Sequence, residues 1–163
     1  MNRKTFLAYS DEIYNSTKGL LRLTKNKDLH WRPAKNCMSI GQVAHHLGEA
    51  SGIWFKTACA NGWQAMSGND MLPALQDLPT VKNTAAALRA LEADRRHMHQ
   101  AVRKLSEKEF ATKQVTAPWM ASKTSAELFG LYMLSHMLNH KMQLFQYLKL
   151  RGYRVNTMHL YGM

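Results

Sequence analysis

Proline is scarce in this sequence: four residues in 163, two of which (Pro73 and Pro79) fall in one stretch. The rest of the chain is left with long proline-free segments, as helices require, because an interior proline removes a backbone donor and clashes with the preceding turn. Cysteine is scarcer still. Cys37 and Cys59 do not amount to a disulfide framework and do not form a CxxC pair. Cys37 is read as a small buried or incidental residue rather than a reactive thiol. Long apolar runs are missing, and nothing approaches the ~18–20 residues of a membrane span. The opening Met1-Asn2-Arg3-Lys4-Thr5 carries charge as a signal sequence does, but Phe6-Leu7-Ala8 is too short an apolar stretch to follow it. A cytoplasmic protein with no membrane partner is expected.

Acidic residues are also few, 11 against 22 lysines and arginines, for a net charge of +11. A basic surface can serve nucleic acids, anionic substrates or membranes. Here the basic residues are dispersed. The densest cluster, Lys18 to Lys27, is interrupted by Leu20, Leu21 and Leu23, and no basic arm appears. A solvated basic surface is the expectation, and nucleic acid is not expected as a partner. A basic nucleic-acid-binding helical protein is kept as an alternative that rests on charge alone.

A hydrophobic fraction of 45% suits one globular domain over residues 1–163. Four segments carry helical periodicity, over about 4–25, 39–60, 81–108 and 124–151. The first places Phe6, Tyr9, Ile13, Leu20 and Leu23 on one face. The second opens with Ser39 and Gln42, spaced as a capping box, and continues with Val43, His46, Leu47, Ala50, Ile53 and Trp54 as an apolar stripe. The third carries Leu88, Leu91, Met98, Val102 and Leu105, with Arg95 standing where an apolar residue is expected and read as reaching to the surface. His97 and His99 flank that stripe and are assigned to the surface. The fourth opens with Thr124 and Glu127, a second capping-box spacing, and ends at Arg151-Gly152. It is apolar around much of its circumference and should lie deep. Between the second and third segments, Asn61-Gly62, Gly68-Asn69-Asp70, Pro73 and Pro79 mark a long loop. No strand signal competes, so the expected fold is an all-α, up-down-type four-helix bundle.

The histidines carry the chemistry. His136 and His140 stand one turn apart, so their rings project from one face of the fourth helix. Both lie on the line Phe129, Met133, His136, His140, Leu144, which should face the bundle interior. On the second helix His46 belongs to the apolar stripe, whereas His45 lies with Glu49, Gly52 and Lys56 and should point away. Glu49 is placed either to orient a histidine ring or to form a surface salt bridge. Spacing alone leaves two readings of His46, His136 and His140. They are core histidines, each satisfied by a carbonyl or water, or they share a divalent cation such as zinc, nickel or iron. Three histidines without a fourth protein ligand would leave a coordination position open, as catalytic sites do. No Ser-His-Asp set, phosphate-binding loop or HExxH motif is present, so no general base is assigned.

At these residues the chain resembles the DinB superfamily. Ser39-Ile40-Gly41, with His46 seven residues after the serine, is similar to that family's opening of the second helix. The run from His136 to Leu144, reading His-x3-His, a basic residue, any residue and Gln-Leu, is similar to its last-helix signature. Trp31-Arg32-Pro33, Tyr147-Leu148 with Arg151-Gly152, and Leu160-Tyr161-Gly162 add to the likeness, which runs from about Trp31 to the C-terminus. The resemblance implies a four-helix bundle, often a homodimer, with a metal bound by His46, His136 and His140. Members of that family with assigned activities include thiol-dependent transferases and isomerases that use low-molecular-weight thiols, and many other members have none. The expected function is therefore a metal-dependent enzyme acting on a small molecule, a thiol-dependent transferase or a hydrolase. The alternative at the same site is a non-catalytic metal-binding module.

Overall fold

A computed structural model describes residues 1–49, 51–63 and 74–163. Ala50, part of the expected apolar stripe, and Gly68-Asn69-Asp70 and Pro73 of the expected loop lie outside the described residues. The architecture is a helical bundle, with seven α-helices among the described residues: α1 (Arg3–Leu23), α2 (Ile40–Leu47), α3 (Gly52–Cys59), α4 (Thr84–Lys104), α5 (Glu107–Thr112), α6 (Ala126–Leu150) and α7 (Thr157–Tyr161). The principal rods are α1, α4, α6 and the pair α2 and α3. α1 packs on α4 and α6, α3 on α4 and α6, and α2 on α6 and α4. A two-residue antiparallel ladder, β1 (Gln114–Val115) with β2 (Thr124–Ser125), is absent from the sequence expectation.

Each helix begins where the sequence supplies an acceptor for its free N–H groups. Asn2 caps α1 through the Thr5 N–H at 2.8 Å, and Asn83 caps α4 through the Ala86 N–H at 2.8 Å. The expected Ser39–Gln42 box is formed in both directions. Gln42 does more than cap. Its amide nitrogen donates to the Leu75 and Leu78 carbonyls at 2.9 and 3.1 Å, tying the end of the long connection to the start of α2. At the other end of the chain Gly152 takes φ +82°, which suits glycine, and closes α6.

Several expectations are corrected. The helix expected over about 39–60 is two helices, interrupted between Leu47 and Gly52. The third segment ends at Lys104, and a second capping box, Ser106 with Glu109, starts α5. α6 is capped by Ser125, which accepts from the Leu128 N–H, and not by Thr124. Thr124 is occupied in the ladder opposite Val115, and Glu127 pairs instead with the N-terminal amine of Met1. In α1 the inward face is Phe6, Ile13, Tyr14, Leu20 and Leu21, whereas Tyr9 and Leu23 are exposed. Arg95 is half-buried and holds two carboxylates, donating to Asp11 at 2.8 Å and to Glu92 at 3.0 Å. His97 and His99 are half-buried rather than on the surface, and His99 Nε2 lies 2.8 Å from Asp11.

The residue that organises the break is Asp94, buried on the inner face of α4. Its carboxylate accepts from the Gly52 N–H at 2.7 Å and the Ile53 N–H at 2.8 Å, the first donors of α3. The same carboxylate accepts from the Tyr14 hydroxyl of α1 at 2.7 Å. Position 52 admits no side chain, because a Cβ there would lie 1.8 Å from the Asp94 carbonyl oxygen. Burial raises the Asp94 pKa, opposed by these hydrogen bonds, and raises that of Tyr14 well above its ordinary value. A second buried polar group, Lys141 of α6, donates to Ser16 Oγ of α1 and to the Leu160 carbonyl of α7, both at 3.0 Å. Burial lowers the pKa of its ammonium.

Removing Asp94 strands three donors in the interior. Asp94→Ala is expected to lower unfolding stability by about 3 kcal/mol in urea denaturation, and Tyr14→Phe by about 1 kcal/mol. Equal midpoints for wild type and Asp94→Ala would show that α3 is held by other contacts.

Candidate metal centre

The three histidines selected from helical phase come together where α2 meets α6. Ring centroids lie 4.9 Å apart for His46 and His136, 4.5 Å for His46 and His140, and 4.6 Å for His136 and His140. One nitrogen from each ring falls within 4.8 Å of the others, close enough to hold one ion between them. His46 Nε2 and His136 Nε2 are only 2.7 Å apart. Two imidazole nitrogens on one zinc ion, each about 2.0–2.1 Å from it, stand a little over 3 Å apart, so a small opening of this pair admits an ion. All three rings are half-buried. The cluster sits at the edge of the core, not inside it, and one side remains accessible.

His45 separates from this group as its phase requires. Its Nδ1 lies 2.8 Å from Glu49 Oε1, and Glu49 is exposed. Glu49 therefore forms the surface pair and orients no ring of the cluster. That role falls to Gln143, which sequence reasoning passed over although it stands three residues beyond His140. His140 Nδ1 lies 2.8 Å from Gln143 Oε1, and Gln143 Nε2 donates to the Tyr147 hydroxyl at 2.9 Å. Because the amide oxygen can only accept, Nδ1 of His140 is the donor in this pair, and Nε2 is the nitrogen left for a metal. Trp31 packs edge-on against Tyr147 with centroids 5.9 Å apart, which holds the far end of this chain.

Electrostatics favour neutral rings. Burial pushes the His46 pKa down to about 3, with the neighbouring His140 and His136 adding to the effect. Burial likewise pushes His136 down to about 4, again with His140 contributing. Both imidazoles are thus uncharged donors across the neutral range, the form that binds a metal. No carboxylate or cysteine belongs to the cluster among the described residues.

Indoles border the cluster on one side. Trp54 of α3 lies with its centroid 5.8 Å from both His46 and His136. Trp119 follows at 5.1 Å from Trp54, and Trp63 at 5.3 Å from Trp119. The sequence placed Trp54 on the inner stripe of its helix. It gave no reason to associate Trp119, which reaches the site through the loop between β1 and β2.

The depressed pKa values carry a sign. With folded-state values below the ordinary 6.5, the unfolded chain takes up protons first as the pH falls. The stability of chelator-treated protein is therefore expected to be fully present above about 6.5 and to decline as the pH falls toward 4 and below. Urea midpoints at pH 7 and pH 5 check this. A midpoint unchanged by the His46→Gln, His136→Gln double substitution in its pH dependence would show that these rings are not the groups responsible.

Comparison with known proteins places this arrangement. The family model described as DinB superfamily matches residues 11–144. No curated protein matches the chain. Among solved structures, a DinB-like protein from Bacillus cereus ATCC 10987 is similar in fold with a TM-score of 0.74 at 16% identity, over 96% of this chain and 98% of the other. A DinB-like protein from Bacillus subtilis gives a TM-score of 0.70 at 13% identity, over 95% of this chain and 97% of the other. These likenesses concern the fold. With the family model spanning most of the sequence, and its helices assembled as described above, the chain belongs to the DinB superfamily.

Proposed function

We propose that this protein is a metal-dependent enzyme acting on a small molecule, with His46, His136 and His140 as the ligands of a divalent ion. The observation that carries this reading is the convergence of three imidazoles within 4.8 Å at a partly accessible position. Zinc, nickel and iron all suit such a donor set. A metal bound there would supply a Lewis acid that lowers the pKa of a coordinated water or thiol.

The protein contributes the rest. The Gln143–Tyr147 chain keeps His140 in one tautomer and one orientation. Burial keeps His46 and His136 unprotonated. Imidazole ligands bring no negative charge to offset the two positive charges of a divalent ion, and the chain carries a net charge of +11. An anionic co-substrate is therefore favoured electrostatically, and a low-molecular-weight thiol bound as its thiolate fits that demand. Hydroxide formed from a coordinated water meets the same demand, so the site suits a thiol-dependent transferase and a hydrolase alike, each acting on an electrophile.

Protein purified without a histidine tag or nickel column is expected to carry about one equivalent of metal by elemental analysis, and His136→Ala to carry almost none. Gln143→Leu is expected to weaken metal affinity by about 10–100-fold. Turnover in a screen of thiols against electrophiles should disappear in His136→Ala. Stoichiometric metal without turnover would assign a non-catalytic metal-binding module, and metal-free wild type would remove the proposal altogether.

A homodimer belongs to the same reading. α6 exposes Leu128, Tyr132 and Met142, and no charged side chain lies between Glu127 and Lys141. In a strongly basic protein, an uncharged apolar face is where two copies approach with least repulsion. Light scattering is expected to give twice 18.6 kDa, and Tyr132→Glu to give a monomer. A monomeric wild type would remove the dimer.

A further inference from the structure

Three indoles in a row beside the histidines are more than packing requires. Trp54, at the inner end, touches the histidine cluster and is half-buried. Trp63, at the other end, is buried. Trp119 lies between them and is 43% exposed. Leaving so much of an indole in water costs free energy in the isolated protein, and that free energy is recovered when something flat covers it.

Trp119 also stands on a defined turn. It occupies the third position of a turn in which the Met120 N–H donates to the Ala117 carbonyl at 2.9 Å, with Pro118 at the second position. Ala117 is buried at the base of this turn. The loop that carries it is closed by the β1–β2 ladder, and Lys113 Nζ, just before the ladder, donates to the Cys59 carbonyl at the end of α3 at 2.8 Å. The hairpin is thereby fixed to the helix that carries Trp54. An exposed side chain on a fixed mount loses little freedom when a ligand packs against it.

We infer that the exposed Trp119, with Trp54 inclined to it by 48°, forms a stacking shelf selecting substrates in which a planar aromatic group is joined to the function that reaches the histidine cluster. This rests on the reading of that cluster as the reacting end, and it names the class of electrophile: aromatic rather than aliphatic. The shelf contributes through ring-face contact, which an aliphatic ring of the same charge does not reproduce. Neither indole touches the reacting atoms; both position the substrate and determine specificity.

The test uses 2-naphthoate and decahydronaphthalene-2-carboxylate, two carboxylates of equal charge and the same carbon skeleton that differ in flatness, titrated by calorimetry into the full-length zinc-loaded protein. Wild type is expected to bind the naphthoate about tenfold more tightly. Trp119→Ala, at an exposed position, should keep its metal content and circular dichroism while the preference falls to about twofold or less. Trp119→Phe should retain part of it. Equal affinities in wild type, or a preference untouched by Trp119→Ala, would overturn the shelf while leaving the metal proposal intact. Metal-free wild type that still prefers the naphthoate, with the preference lost in Trp119→Ala, would support the shelf and overturn the metal centre instead.

Discussion

The buried Asp94 carboxylate is the constraint on which the remaining geometry depends. It accepts the first two backbone donors of α3 and the Tyr14 hydroxyl of α1, so three rods of the bundle meet at one charged group. Its consequence is the interruption between α2 and α3. In one continuous helix, residues eight apart are separated by about 12 Å along the axis. His46 and Trp54 have that sequence spacing, yet their ring centroids lie 5.8 Å apart. The break brings an indole and an imidazole into contact that an unbroken helix would hold apart, and the aromatic border of the site follows from it.

What could be read from the sequence was whatever local chemistry decides. The Ser39–Gln42 box depends on residues three apart and forms as read. The choice of His46 over His45 needed only helical phase, and so did the pairing of His136 with His140. The bundle itself follows from the four periodic segments. The errors concern distant partners. Within residues 39–60 only Gly48 and Gly52 hint at the interruption, and its cause, Asp94, lies 42 residues beyond Gly52. Thr124 has the spacing of a cap, but the ladder with Val115 removes it and passes the role to Ser125. Arg95 attracted notice as the polar residue on an apolar stripe, while its neighbour Asp94 held the buried position. Trp119 was illegible for a related reason: its place is set by a hairpin whose strands are two residues each, too short for any alternation to show.

Several polar groups inside the bundle have a defined partner set. Asp28 shows the pattern outside the site. It accepts from the Tyr153 hydroxyl at 2.6 Å and from Arg151 Nε at 3.0 Å, and the Tyr153 hydrogen bond, followed by the charge of Arg151, holds its pKa below the ordinary value. That contact ties the segment before α2 to the end of α6, the two elements that supply the histidines. The Gln143–Tyr147 chain is the corresponding arrangement within the site. In both places a tyrosine hydroxyl completes a set of hydrogen bonds that a single side chain leaves open.

His140 and Lys141 are consecutive on α6 and project about 100° apart around its axis. The first faces the histidine cluster, and the second reaches Ser16 and the carbonyl of Leu160. The helix is thus indexed from two directions, like a shaft keyed on adjacent flats. Leucine-rich helices can roll or slip by a residue with little change in the greasy surface they offer. This one cannot, because any rotation that seated its leucines equally well would strand an ammonium on one side and misalign an imidazole on the other.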